Sequence, residues 1–195
     1  MAMARRKYDF QPDRPQTSLL DKLYLTKKQR IGLLRWSLHA LVVLVLSLIQ
    51  DVILCRLDIF GATTDLVPGA IFTLCMLLGA ERGCIFTLVA AALFQFSGAA
   101  PGVYVIALIP FIAIAFAMLQ QSMLRKGKGA DLLTAAIAIF LYEFAIFGIS
   151  VGIGETVLFR VYSAAATGIM TVLCSIGLYF IFNAIEKIGG TPWNA

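Results

Sequence analysis

Residues 131–151 read DLLTAAIAIFLYEFAIFGISV. Between Asp131 and Val151 only Glu143 carries charge, and every other side chain is apolar, small or hydroxyl-bearing. A helix needs about 20 such residues to cross the hydrocarbon core of a bilayer. A barrel strand would alternate polar and apolar residues over about ten positions, and this run does not alternate. In lipid the backbone must satisfy its own hydrogen bonds, which leaves only helices and closed barrels. The stretch therefore predicts a membrane-crossing helix.

The rest of the chain has the same character. Hydrophobic residues make up 60% of it and charged residues 14%, and its mean hydropathy is +0.88. Soluble domains are about 45–50% apolar and about 25% charged, so the bilayer is the expected solvent. Six helices are predicted, over residues 36–55, 64–80, 83–97, 102–121, 131–151 and 156–184. The third is short enough to need shelter from its neighbours. The sixth is long enough to tilt. The expected fold is all-α: a polytopic, six-transmembrane-helix bundle with both termini cytoplasmic. It divides into a basic tail (1–35), a membrane domain (36–188) and a short C-terminal tail (189–195).

Charge sets the orientation. The tail holds nine Lys and Arg against Asp9, Asp13 and Asp21, a net of +6. With the tail inside, 14 of the 16 Lys and Arg lie on the cytoplasmic side, leaving only Arg56 and Arg160 outside. The opposite orientation violates the positive-inside rule. Residues 17–31 have the makings of a short amphipathic helix on the anionic inner leaflet. A solvated basic tail that sets the topology is the simpler reading. The first apolar run begins only near Trp36, so no signal peptide is expected.

The loops and embedded polar residues supply the candidates. Arg56 and Asp58 fall in the first outer loop, and Glu155 in the last. Glu81 and Arg82 read as a tight inner turn. Ser97-Gly98-Ala99-Ala100-Pro101-Gly102 reads as an uncharged outer turn, its glycines free to take positive φ and Pro101 placed to start the fourth helix. Arg125, Lys126 and Lys128 make a basic inner loop, followed by Asp131 as an N-cap or first-turn anion. Asp65 fits the same role for the second helix. His39 and Gln50, 11 residues apart, share one face of the first helix, with Ser47 a quarter turn away. That stripe suits packing inside the bundle better than metal ligation. Asp51 sits where it can snorkel.

Glu143 is the most deeply embedded ionisable group, at a cost of about 2.5–3.5 kcal/mol on insertion scales. It could line a proton or cation path. With no second acidic site and no membrane-embedded base, an interhelical hydrogen bond or a partner contact is the better reading. Small residues four apart (Ala113 and Ala117, Gly148 and Gly152, Ala164 and Gly168) mark places where helices can approach closely. Cys55, Cys75, Cys84 and Cys174 form no C-x-x-C pair and read as apolar packing residues. No phosphate loop, nucleophile elbow or zinc-helix motif occurs. No enzyme activity, cofactor, metal or nucleic-acid partner is expected.

Several of these features recur in a known order. Gln50 near the end of the first helix is followed by Phe60-Gly61 and Thr64-Asp65-Leu66. Glu81-Arg82-Gly83 comes next, then the Ser97–Gly102 turn, then Tyr142-Glu143. Across about residues 30–188 the chain resembles the rod shape-determining protein MreD family. It departs from the family pattern with Thr64 in place of a Pro, and with Phe94-Gln95-Phe96 where the family often has an Asp. The resemblance implies a non-catalytic subunit of the bacterial elongation complex in the cytoplasmic membrane. Its implied partners are an MreC-like protein and, through it, MreB filaments and the RodA–penicillin-binding-protein synthase, besides membrane lipids. The implied role is regulation of lateral-wall peptidoglycan synthesis. His39, Gln50, Asp65, Arg82, Gly83, Gly98, Gly102 and Glu143 are the candidate partner-contact or structural residues.

The rival reading is a substrate-binding subunit of an energy-coupling-factor vitamin transporter, also a six-helix bundle of this size. It needs an outward pocket of convergent polar groups. Asp51, Gln95, Tyr104, Glu155, Arg160 and Tyr162 are its candidates, with Ala90–Ala92 as a possible patch for a coupling subunit.

Overall fold

The computed structural model describes residues 27–54, 64–123 and 127–188. Tail residues 1–26, Cys55, Arg56, Asp58, Phe60-Gly61, Arg125, Lys126 and the C-terminal 189–195 lie outside the described residues. Six α-helices carry the fold: α1 (Lys27–Val52), α2 (Leu66–Leu78), α3 (Ala80–Phe96), α4 (Val105–Met123), α5 (Lys128–Ile153) and α6 (Val161–Glu186). A 3-10 turn at Leu158–Arg160 precedes α6. Four of the helices, α1, α4, α5 and α6, are long and apolar enough to cross a membrane.

The 13-residue α2 is the organising element. It packs against all five other helices, and every residue from Val67 to Met76 is buried. The short helix that needs shelter is therefore α2 rather than α3. A helix surrounded on all sides meets no lipid and need not match the bilayer thickness. Glycine allows the closest approach: a Cβ on Gly69 would stand 2.8 Å from both Ser175 Oγ and Thr171 Cγ2 of α6. Gly168 of α6 lies in the same way against the Phe140 ring of α5, at 2.9 Å. Ala113 and Ala117 are fully buried on α4. Gly148 and Gly152 differ from expectation, since added Cβ atoms there would meet nothing within 4 Å. They lie on an open face of α5.

Two helix boundaries move for identifiable reasons. α1 begins at Lys27, well before Trp36. Its Arg35 donates from Nε and Nη2 to the Ile188 carbonyl (2.9 and 2.7 Å) and from Nη1 to Glu186 (3.3 Å). These bonds tie the polar start of the helix to the end of α6. The corner between α2 and α3 is the single residue Gly79, at φ +79°, where only glycine is unstrained. Glu81, Arg82 and Gly83 consequently belong to the first turn of α3 instead of forming the turn. Similarly, α4 starts at Val105, and Pro101 lies in the preceding turn.

α1 is the peripheral helix. It packs mainly on α2, with smaller contacts to α6 and α3. Leu33, Leu34, Leu41, Leu44, Val45, Leu48 and Val52 are all exposed along it. Its buried face carries His39, Val43, Leu46 and Gln50, so the expected shared face of His39 and Gln50 is the one turned to the bundle.

Candidate functional site

The eight candidate residues separate into two groups at opposite ends of the bundle. One group surrounds the start of α2. The first N–H groups of a helix have no partner within it, and Asp65, at the N-cap position, makes no side-chain capping bond. The expected capping role of Asp65 is therefore not met. Gln50 supplies the missing acceptor from another helix: its buried Oε1 accepts the Val67 N–H at 2.8 Å. The Asp65 backbone N–H donates to Thr171 Oγ1 of α6 at 3.2 Å. The chain at 64–67 is thus pinned from both sides, beside open space lined by the half-buried Asp65.

That space is divided in two by Asp65 and Ala99, which line both parts. One cavity of ≈ 440 Å³ lies among Gln50, Asp51, Thr64, Asp65, Ser97 and Gly98. The turn beside it needs glycine at Gly98, whose φ is +79°. Gly102 matters for a different reason. It has no positive φ, but a Cβ there would come within 2.3 Å of the Tyr104 ring. The second cavity, of ≈ 390 Å³, is lined by Asp65, Glu143, Ser150, Arg160, Ser163 and Thr167.

Glu143 is 6% exposed, and its Oε1 has no hydrogen-bond partner among the described residues. The expected interhelical hydrogen bond through that oxygen is absent. Nor is Glu143 without an acidic neighbour: Asp65, 78 positions earlier, lines the same cavity. Next to it the Tyr142 hydroxyl is buried without a partner, its ring edge-on to Phe72 at 5.6 Å. Two acidic residues thus line one cavity together with Ser150, Ser163, Thr167 and the exposed Arg160. Of the outer-half groups expected to converge, Asp51 and Arg160 line these cavities.

The second group lies at the other end. His39 and Arg82 line a cavity of ≈ 630 Å³ with Arg35, Trp36, Phe86 and Glu186. His39 is almost fully buried, its ring 5.7 Å from that of Phe182 and its Nε2 4.0 Å from Glu186 Oε1. That is a packing environment. No group of three His, Cys, Asp or Glu residues placed to hold a metal occurs among the described residues. Gly83 lies against α2, where a Cβ would stand 2.8 Å from Cys75 Sγ. Cys75 itself is buried, with its thiol toward the Ala113 carbonyl at 3.7 Å. Asp131, in the first turn of α5, accepts from Gln120 Nε2 of α4 and from the Tyr179 hydroxyl of α6 at 3.2 Å. It joins three helices at this end.

Sequence reasoning missed the α6 contribution. Ser163, Thr167, Thr171 and Ser175 recur every four residues, a spacing that aligns them on one helix face. Thr167, Thr171 and Ser175 are buried, two of them beside Gly69 and one lining the acidic cavity. That periodicity was the available signal.

No protein-family model, curated protein or solved structure matches this chain. The described residues define the class as all-α, with six helices, four of them long and apolar enough to cross a membrane, as in a multi-pass membrane protein. A polar, doubly acidic recess opens at one end of the bundle.

Proposed function

We propose that this chain is a non-catalytic membrane subunit of the bacterial elongation machinery, of the MreD kind, which docks an MreC-like protein and regulates lateral-wall synthesis. The reading includes six spans, with both termini cytoplasmic in the bacterial inner membrane. The observation that carries it is convergence. Gln50, Asp65, Gly98 and Glu143 belong to motifs spread over half the chain, yet they line two adjoining cavities at one end of the bundle. The apolar outer face of α1 supports the reading too, because it leaves room for the membrane helix of a partner. Co-purification of the tagged chain with an MreC-like protein, and rounding of rod-shaped cells on depletion, are the expected results. Rods of normal shape after deletion, in a strain without a second copy, would overturn it.

A second reading, the substrate-binding subunit of a vitamin transporter, is favoured by one observation. The ≈ 390 Å³ cavity gathers Asp65, Glu143, Arg160, Ser163 and Thr167 from three parts of the chain, as a small-molecule site requires. A panel of vitamins tested by thermal shift on the purified protein decides it: stabilisation by one member is expected, and none by any member removes the reading.

A further inference from the structure

The acidic cavity is unusual for what it leaves unpaired. A buried carboxylate is normally hydrogen-bonded or paired with a cation. Glu143 is 94% buried by the complement of its 6% exposure. It lines the cavity, and its enclosed Oε1 has no partner among the described residues. Asp65 lines the same cavity and repels it when both are charged. Among the described residues the only cation in the lining is Arg160, which is exposed. With both carboxylates ionised, the described lining residues carry a net charge of −1, which favours a cation.

Size and chemistry narrow the choice of cation. A water-sized ion would fill a small part of ≈ 390 Å³, since water's share of liquid volume is about 30 Å³. The hydroxyl oxygens of Ser150, Ser163 and Thr167 around the carboxylates are acceptors suited to N–H donors. Ala99, Pro101 and Phe147 give the same cavity apolar walls, which favour a ligand with a carbon skeleton.

We infer that the cavity between the start of α2, the 97–102 turn, α5 and α6 binds an organic cation, whose ammonium or guanidinium group sits between Asp65 and Glu143. The hydroxyls of α5 and α6 accept its remaining N–H groups. The group can come from a soluble amine or from the ammonium headgroup of a phospholipid, since the cavity lies at an end of the bundle. The inference shares its cavity with the transporter reading but requires neither transport nor a vitamin.

The test uses the full chain in nanodiscs of phosphatidylglycerol, titrated with agmatine by calorimetry. Saturable binding is expected in the parent. Glu143→Gln and Asp65→Asn keep the side-chain shape, and each should weaken binding about tenfold, the loss of one charge-assisted hydrogen bond. Arg160→Ala removes the competing charge and should tighten it. Nanodiscs containing phosphatidylethanolamine distinguish the sources: weaker agmatine binding there assigns the site to the lipid headgroup, and unchanged binding to a soluble amine. Absence of binding in phosphatidylglycerol, or equal binding by the parent and both isosteric variants, overturns the inference. Should Glu143→Gln fail to fold, Asp65→Asn decides alone. Agmatine binding without any response to vitamins would remove the transporter reading and leave this one standing.

Discussion

Without the Gln50 amide, Val67 has a buried N–H and no acceptor. An unsatisfied buried donor costs about 1–3 kcal/mol, so Gln50→Ala should lose that much in reversible unfolding from detergent micelles. Gln50→Glu keeps an acceptor and should recover most of it. Loss of less than about 0.5 kcal/mol in Gln50→Ala would mean that water or another group caps α2. Glu143 behaves in the opposite sense. Its Oε1 makes no bond among the described residues and Asp65 lines the same cavity, so Glu143→Gln should melt no lower than the parent protein. A fall in melting temperature would reveal a partner for the carboxylate. At Gly98 the constraint is backbone conformation, since open space surrounds its missing side chain. Valine at φ +79° should cost about 1–2 kcal/mol, while Gly98→Asn, which tolerates that region, should cost less; equal costs would mean that the turn relaxes.

Individual helices were far more legible in the sequence than their neighbours were. Every predicted helix exists, because long apolar runs in a chain this poor in charge have few alternatives. Boundaries failed where charge was used as the marker. Glu81-Arg82 looked like a turn, yet the chain reverses at Gly79, whose positive φ allows the corner within one residue. Lys27 to Arg35 looked like tail, yet the helix runs through it because Arg35 finds acceptors at the end of α6. Spacing of small residues was an incomplete guide to packing. Gly69 and Gly168 sit at tight contacts, whereas Gly148 and Gly152 face open space. Gly69→Ala should therefore cost about 1–3 kcal/mol by overpacking against Thr171 and Ser175. Gly148→Ala and Gly152→Ala should stay within about 0.5 kcal/mol of the parent or gain slightly from helix propensity. Equivalent losses at all three sites would refute this account of the α2–α6 contact.

The whole molecule is where sequence reasoning runs out. Asp65 and Glu143 lie 78 positions apart on helices with no local pattern in common; only the packing of α2 against α5 brings them to one cavity. Each was legible alone as an unusual residue, but their proximity was not. Orientation is the reverse case, because the distribution of Lys and Arg speaks for the entire chain at once. In intact cells, and in a background without native cysteines, Lys128→Cys should resist a membrane-impermeant thiol reagent. Val157→Cys, in the loop before α6 and exposed, should react. Labelling of Lys128→Cys from outside would invert the proposed topology.

The brevity of α2 also constrains how the protein is made. At about 1.5 Å per residue its 13 residues span about 20 Å, against a hydrocarbon core of about 30 Å. Leaving the translocation channel alone, such a segment would strand polar backbone ends in lipid. Its start depends on Gln50, already synthesised, and on Thr171, more than a hundred residues away on the nascent chain. The contacts that surround the central helix are complete only once α6 has been made. The element around which the finished protein is arranged therefore has all its neighbours only when the last helix is in place.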